Sequence, residues 1–355
     1  MLNFNKWQKI ADKVSDYNLE KKDQKIFSKT TKWIATEKIH GANFSIYYNL
    51  GSLTSEEPEI KFAKRNGFLS DTEWFYNYQL IKPKLIKNVK QIATILNKQN
   101  IIVYGELFGG FYPSDPSKFN INQRINDKGI SVVQFEQRAV QEGIYYSPNI
   151  EYIVFDIAIY DENNKPVFIS YNEMMNCVKQ TELLYAKPLI IDTFDKVMQY
   201  NINFDSTIPQ QLGLVQMIPK TNLAEGIVIR PMDNYMLPNN NRCLIKIKNK
   251  KFLEVKYNSS TESIEQITEQ SSLFINLINQ NRLNAVISKN GQLTELTKEQ
   301  ILNEFVEDVW SDYYSNCYAN CSNVKSNVKI DNIEYIDSLI KKYCEILINE
   351  NLSMV

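Results

Sequence analysis

The chain has 355 residues, 43% of them hydrophobic, so it can bury one large core or two ordinary ones. Its 40 Lys+Arg are balanced by 41 Asp+Glu, for a net charge of −1. No global basic field advertises nucleic acid, and a nucleic-acid partner would need a local basic groove.

In chain order, "MLNFNKWQKIADKVSDYNLE" is too polar for a signal peptide, and it is not the acid-poor, Arg-rich stretch of a transit peptide. "WIATEK" and "NFSIYY" read as strands, rich in β-branched and aromatic residues, on either side of a turn at 39–42. In the second strand Phe44, Ile46 and Tyr48 share one face and Asn43, Ser45 and Tyr47 the other. The apolar set suits a core, and the polar set would line whatever lies opposite. "FAKRNGFL" contains a hairpin turn at Asn-Gly. A helical stretch follows from "DTEWF" to "LNKQN", interrupted or opened by Pro83. "IIVYGEL" is a strand ended by Glu106 and its glycines, and 113–140 is a polar surface excursion. "YIVFDIAIY" is a strand, "NEMMNCVKQTELL" a helix, and "EGIVIRP" and "CLIKIKNK" are strands. The pattern is α+β with no regular βαβ repeat.

After about residue 256 the strands vanish. "KYNSSTES" reads as a linker, giving domains 1–255 and 256–355. Thr297 and Gln300 fit a capping box. Ile333, Ile336, Ile340, Tyr343 and Leu347 fall on one helical face, the core stripe of a small all-helical domain. Cys177, Cys243, Cys317, Cys321 and Cys344 are odd in number and scattered, which fits reduced thiols. Cys317 and Cys321 lack a second pair, and His40 is the only imidazole, so a zinc site is not expected. No run approaches the roughly 20 apolar residues of a membrane span. The expected location is cytoplasmic or otherwise intracellular, with no membrane association.

No Gly-Lys-Ser/Thr phosphate loop, GxGxxG or GxSxG elbow is present. Six short stretches carry the chemistry instead. "TEKIHGANFS" sets Lys38 between Glu37 and the solitary His40, with Gly41 permitting a tight turn and close approach of backbone to a ligand. "LIKIKNKKF" puts Lys246 and Lys248 on one strand face, either an ordinary solvent-facing edge or a clamp for phosphate. Glu225 heads "EGIVIRP" and Glu106 closes "VYGEL", each either an edge carboxylate or a ligand group. Arg65 lies in "AKRNG". Phe155 in "YIVFDI" is either core or a stacking platform for a base.

In order and spacing, the six resemble the covalent nucleotidyltransferases, the superfamily of ATP-dependent ligases and mRNA capping enzymes. "KIHG" matches the superfamily's KxxG nucleophile motif. "EKIHGANFS" is closer to the double-strand RNA ligases, the RNA ligase 2 branch that includes phage enzymes and the kinetoplastid RNA-editing ligases. "YYSPNIEY" also resembles the family, and "NRLNAVISKNG" resembles the phage-type C-terminal domain. DNA ligases and capping enzymes usually carry an acidic residue at the place of His40 and append an OB-fold, of which this chain has no trace.

The resemblance implies an ATP-grasp-like nucleotidyltransferase domain of antiparallel sheets with flanking helices. It implies an ATP-dependent RNA ligase, acting with Mg2+ (or Mn2+), that seals 3′-OH/5′-phosphate nicks in duplex RNA. Lys38 would attack ATP to form lysyl-AMP, AMP would pass to a 5′-phosphate, and a 3′-hydroxyl would displace it. A free lysine, with a pKa near ~10.4, is mostly protonated at neutral pH and must first become neutral. Lys246, Lys248 and the metal would favour that form and neutralise the α-phosphate. Glu225 would bind the metal or orient its waters, Glu106 would hold the ribose, and Arg65 would meet the ribose and the reacting end. Phe155 would stack on adenine, Glu37 would lie beside the adenine pocket, Asn43 would contact a phosphate, and His40 would assist the first step. The expected partner is nicked duplex RNA, or an RNA/DNA hybrid, with no obligatory protein partner. The alternatives are a ligase for DNA or hybrid nicks, a capping guanylyltransferase and a non-catalytic RNA-binding relic.

Overall fold

A computed structural model describes residues 2–17, 26–27, 31–51, 58–115, 139–237, 242–252, 274, 276–320 and 333–353. The chain divides into two compact units, Met1–Lys251 and Phe252–Val355. The expected boundary at 255 and the "KYNSSTES" linker lie outside the described residues, as does most of the polar stretch 113–140.

The first unit holds two sheets. One has the order β11-β10-β1-β9, from Ile245–Lys248 (β11), Gly226–Pro231 (β10), Trp33–Glu37 (β1) and Pro188–Asp192 (β9), all antiparallel. The other runs β4-β3-β2-β5-β6-β7, from Gly67–Phe68 (β4), Glu59–Lys64 (β3), Ala42–Asn49 (β2), Asn100–Phe111 (β5), Ser147–Tyr160 (β6) and Pro166–Phe168 (β7). Leu184–Tyr185 (β8) pairs in parallel with β6. The largest core lies against the second sheet. Phe44, Ile46, Ile101, Val103, Val154 and Ile157 pack there with helices α1 (Lys82–Leu96) and α2 (Tyr171–Val178). Each such side chain contributes roughly 1.5–3 kcal/mol by leaving water. Pro83 opens α1, where its missing N–H costs nothing, and Ser170 caps α2 by accepting from Glu173 N (3.1 Å). Two short helices, α3 (Phe194–Met198) and α4 (Ile208–Gln211), follow β9.

Two local features matter for the site. Tyr104 pairs with Asp156 and Gly105 with Val154, so Phe155 is a bulge residue with no ladder partner. Phe155 and Asp156 therefore turn to the same face, where both meet Trp7. That face also departs from the expected pattern. Ser45 and Tyr47 are buried, and Tyr47 packs with Leu2 and Trp7, so the N-terminal segment covers most of the polar side of β2. Glu106 does not end its strand either, because β5 continues to Phe111.

In the second unit, helices α5 (Gln280–Asn290), α6 (Lys298–Asn320) and α7 (Ile333–Ser353) share a core. Arg282, fully buried, reaches Asp308 and Asp312 of α6 at 2.5 Å each and donates to Leu277 O at 2.9 Å. The buried stripe of α7 is Ile336, Ile340, Cys344 and Ile348, while Ile333 is 50% exposed, so the face is rotated from the expected one. In place of the capping box, Thr297 Oγ1 donates to Gln292 O (2.8 Å) and Gln300 donates to Asn290 (3.1 Å). Cys177, Cys243 and Cys344 are buried free thiols. The side chain of Cys317, and all of Cys321, lie outside the described residues. Among the described residues no helix is long and apolar enough to cross a membrane.

Candidate active site

Three strand ends meet at one point. Lys38 follows β1 and its N–H donates to Gly226 O at 2.9 Å. Glu225 precedes β10, and its carbonyl accepts from Asn249 N at 2.7 Å, just past Lys248 of β11. Gly226 pairs with Lys248. It has a φ of +150°, and a Cβ there would fall 2.0 Å from Ile247 O, so only glycine lets these strands approach. Side chains separated by some two hundred residues thus become neighbours. Lys38 Nζ donates to Glu225 Oε2 at 2.7 Å, His40 Nδ1 lies 3.4 Å from the same oxygen, and Lys248 Nζ is 3.6 Å from Oε1. Burial alone would raise the Glu225 pKa. The Lys38 ammonium, then His40 and Lys248, overcome that and hold the carboxyl well below its usual range.

The turn after Lys38 is fixed from both sides. A Cβ on Gly41 would sit 2.1 Å from Leu107 O and 2.8 Å from Glu106 Cγ, so the turn can lie against β5 only without a side chain. His40 N donates to the hydroxyl of Tyr146 at 2.9 Å. Tyr146 is held edge-on against Phe108, with centroids 5.3 Å apart. Beyond the turn, β2 sets Asn43 opposite Glu106. Burial pushes the Glu106 pKa up to about 8; Lys38 and Arg65 pull it down and Glu225 pushes it further up. Arg65 sits on the β3–β4 hairpin, so the turn and the functional reading of that stretch are compatible.

The Glu106 shift has a measurable consequence. Its folded-state pKa of about 8 exceeds the ordinary 4.5, so the folded chain keeps a proton that the unfolded chain releases. This contribution to stability is complete below pH 4.5 and is lost as pH rises through about 8. Urea unfolding of wild type and Glu106→Gln across that window should show the wild type losing stability relative to the variant as pH rises. A pH-independent difference would exclude the shift.

The remaining residues lie around this cluster. Glu37 turns to the other side of the strand end. Its Oε2 accepts from Thr207 N and Oγ1, both at 2.8 Å, and burial raises its pKa against the Ser206 and Thr207 hydrogen bonds. Its Oε1 is buried with no hydrogen-bond partner among the described residues. Phe155 packs on Trp7 at 4.8 Å, and the Arg65 guanidinium carbon lies 5.9 Å from the centroid of that indole. Lys246 shares the Lys248 face of β11, but its ammonium pairs with Asp12 at 3.3 Å. Both lysines are largely covered, at 19% and 14% exposure, so β11 is not an open solvent edge. The sequence does not single out Tyr146, Thr207, Trp7 or Asp156. A buried tyrosine or tryptophan in an apolar run carries no signal that its polar atom will meet a functional loop.

The chain matches the RNA ligase family over residues 31–248 and the T4 RNA ligase 2 C-terminal family over 260–345. It is 28% identical over 254 residues to the mitochondrial RNA-editing ligase 1 of Trypanosoma brucei brucei, covering 66% of this chain and 53% of that protein. It therefore spans about half the length of that relative. The mitochondrial RNA-editing ligase 2 of the same organism is 29% identical over 324 residues, covering 78% of this chain and 76% of that one. A Naegleria gruberi RNA ligase solved with PPi aligns over 71% of this chain and 57% of its own, at a TM-score of 0.40 and 14% identity. With more than half its length matched by that family's model, the chain belongs to the RNA ligase family, in the RNA ligase 2 branch.

Proposed function

We propose that the protein is an ATP-dependent RNA ligase that seals 3′-OH/5′-phosphate nicks in duplex RNA through a Lys38–AMP intermediate. The observation that carries this is the grouping of Lys38, His40 and Lys248 on the one buried carboxylate of Glu225, at the mouth of a glycine-shaped turn. Such a site holds a primary amine, two cationic or hydrogen-bonding partners and a fixed anion within a few ångströms. That is what attack on a polyanionic phosphate requires.

The Lys38 ammonium first gives a proton to solvent, leaving its ion pair with Glu225, and the neutral amine attacks the α-phosphorus of ATP. A P–N bond forms, the bond to the α,β-bridging oxygen breaks, pyrophosphate leaves with that electron pair, and the nitrogen loses a second proton to solvent. Lys248, together with Lys246, offsets charge on the phosphates, and His40 assists at the departing group. A 5′-phosphate oxygen then attacks the lysyl-linked phosphorus, releasing Lys38 and leaving AMP on the RNA end. The 3′-hydroxyl of the neighbouring strand attacks that 5′-phosphate and AMP departs. Glu106 and Arg65 hold the ribose and the reacting end, Asn43 meets a phosphate, and Phe155 stacks on the base. The unpartnered Glu37 Oε1 is an acceptor suited to the base's amino group.

No group of three or more metal-ligating side chains is gathered among the described residues. One carboxylate beside two lysines is no cage for a bare cation. It suits Mg2+ (or Mn2+) that arrives on the phosphates of ATP and keeps several waters. Glu225 would hold that ion or its waters, and the bound ion supplies further charge neutralisation. In the C-terminal unit we assign contacts to the phosphates and 2′-hydroxyls of the duplex, the features by which double-stranded RNA is recognised. RNA affinity should therefore fall steeply with salt.

The test is incubation with labelled ATP or GTP and magnesium, followed by nicked duplexes of RNA, DNA and mixed strands. The expected result is an acid-labile, alkali-stable adduct with ATP alone, and sealing of RNA nicks. A GTP adduct selects a capping enzyme, sealing confined to DNA selects a DNA ligase, and no adduct selects a binding relic. Lys248→Ala and Lys246→Ala should each lower adduct yield by at least about tenfold, roughly the worth of one charged stabilising group, without loss of soluble protein. Normal yields would refute the clamp.

A further inference from the structure

The segment 2–17 lies outside the span matched by the RNA ligase family, residues 31–248, yet it is bound to both sheets. On the second sheet Asn5 N donates to the Tyr47 hydroxyl at 3.0 Å, and Asn5 O accepts from Tyr47 and Tyr104 at 2.8 and 3.0 Å. On the first, Ala11 N donates to Leu244 O at 3.1 Å and Lys246 N donates to Ala11 O at 2.9 Å. This forms a parallel bridge on the outer side of β11. Gln8 bonds both Arg242 O and the Arg242 backbone N–H. Trp7 lies between these anchors and is 8% exposed. Its indole N–H donates to Asp156 at 2.9 Å, its ring lies 4.8 Å from Phe155 at an interplanar angle of 56°, and it lies 5.9 Å from the Arg65 guanidinium carbon.

We propose that Trp7 is a positioning residue for the base-binding half of the nucleotide site, acting through Phe155 and Arg65. The proposal rests on the reading of those two as base and ribose contacts. Phe155 needs such a support because of its place in the strand. As a bulge residue it has no partner opposite it in β5, and its ring is only half-buried. The ring packed on it is that of Trp7, and a ring that must be ordered on binding costs affinity. The indole cannot swing, because its N–H is tied to Asp156, which is itself held by Arg230 and Arg242. The same indole faces the Arg65 guanidinium, so one ring sets both the stacking platform and the cation beside it. The N-terminal segment would then be a structural member of the nucleotide site.

The experiment measures adenylate formation against ATP concentration for Trp7→Ala, Trp7→Leu and Trp7→Phe in the full chain. Inorganic tripolyphosphate serves as a competitor that carries the phosphates but no base. The expected result for Ala and Leu is a rise in the KM for ATP of about tenfold, within the range of one base-stacking interaction. The maximal rate should change by less than about threefold, as when binding energy is removed equally from ground and transition states. The Ki of tripolyphosphate stays at the wild-type value, and Trp7→Phe recovers most of the affinity. If Trp7→Ala does not fold, Trp7→Leu fills the space without an aromatic plane, and the Leu-to-Phe contrast decides. An unchanged KM in the Leu variant, or a tripolyphosphate Ki that rises in step with KM, overturns the proposal. A wild type that forms no adduct overturns the ligase reading itself; an active wild type with indifferent Trp7 variants overturns this proposal alone.

Discussion

Lys38→Ala is expected to abolish the covalent adenylate, with a loss of about 10³-fold or more, while the protein stays folded. The chemical half follows from the site. Among the side chains on Glu225, Lys38 makes the shortest contact, at 2.7 Å, and its backbone is held at the strand end by its N–H to Gly226 O at 2.9 Å. Lys248 reaches the same carboxylate at the longer distance of 3.6 Å, and His40 contacts it at 3.4 Å. Neither stands in for an amine fixed beside the turn. The structural half follows from what remains. Glu225 is 4% exposed and would be stranded if Lys38 were its sole partner. With His40 and Lys248 still in place, the expected cost is about 1.5–3 kcal/mol, that of one hydrogen bond to a charged group. Lys38→Arg is the sharper control. Guanidinium keeps the positive charge beside Glu225 but does not deprotonate, so the variant should be stable and equally free of adduct. Intact-mass measurement after incubation with ATP and magnesium reads both variants. An AMP-sized increment in either one would remove Lys38 from the role of nucleophile.

The members of the group on Glu225 were legible one by one, each at a strand end marked by its neighbours, and the resemblance to the nucleotidyltransferases tied them to one site. Lys38 stands before a turn glycine, Glu225 before Gly226, and Lys248 on a strand of strict alternation. The antiparallel pairing of β1, β10 and β11 then brings the three ends together. Backbone register did this, and register is what alternation encodes. What was not legible depends on departures from alternation. Phe155 reads as an ordinary strand residue, and only the bulge that lets Tyr104 meet Asp156 turns both toward Trp7. The polar face of β2 reads as a ligand-facing surface, yet a polar and largely irregular N-terminal segment covers Tyr47. Such a segment has no periodicity to reveal where it will lie. Lys246 and Lys248 read as a symmetric pair, but their side chains diverge, one toward Asp12 and the other toward Glu225. The rotation of the α7 stripe is of the same kind, since Cys344 takes a buried position that hydrophobic pattern alone assigns to Tyr343.

Asp156→Ala should destabilise the first unit by about 3–5 kcal/mol, the range for removing one partner from a buried charge cluster. Asp156 is fully buried in β6 of the second sheet. Its carboxylate lies 3.3 Å from Arg230 Nη2 on β10 of the first sheet and 2.6 Å from Arg242 Nη2, and it accepts from Trp7 at 2.9 Å. Arg230 also donates to Phe155 O at 3.1 Å, so the cluster joins the two sheets at the bulge itself. Both guanidinium groups are buried, at 7% and 4% exposure, and without Asp156 two positive charges face each other out of water. For a unit of this size, a loss of 3–5 kcal/mol should lower Tm by roughly 10 °C. Acid gives the diagnostic. Burial would raise the Asp156 pKa, but Arg230 and then Arg242 reverse that and hold it below its ordinary 3.8. A depressed pKa contributes stability that is complete above the unfolded-state value and is lost as pH falls through the folded-state value. Urea unfolding should therefore show the full wild-type advantage over Asp156→Ala at neutral pH, shrinking as pH falls below about 4. An advantage that stays constant into acid would mean that the side chain's volume, and not its charge, holds the two sheets together.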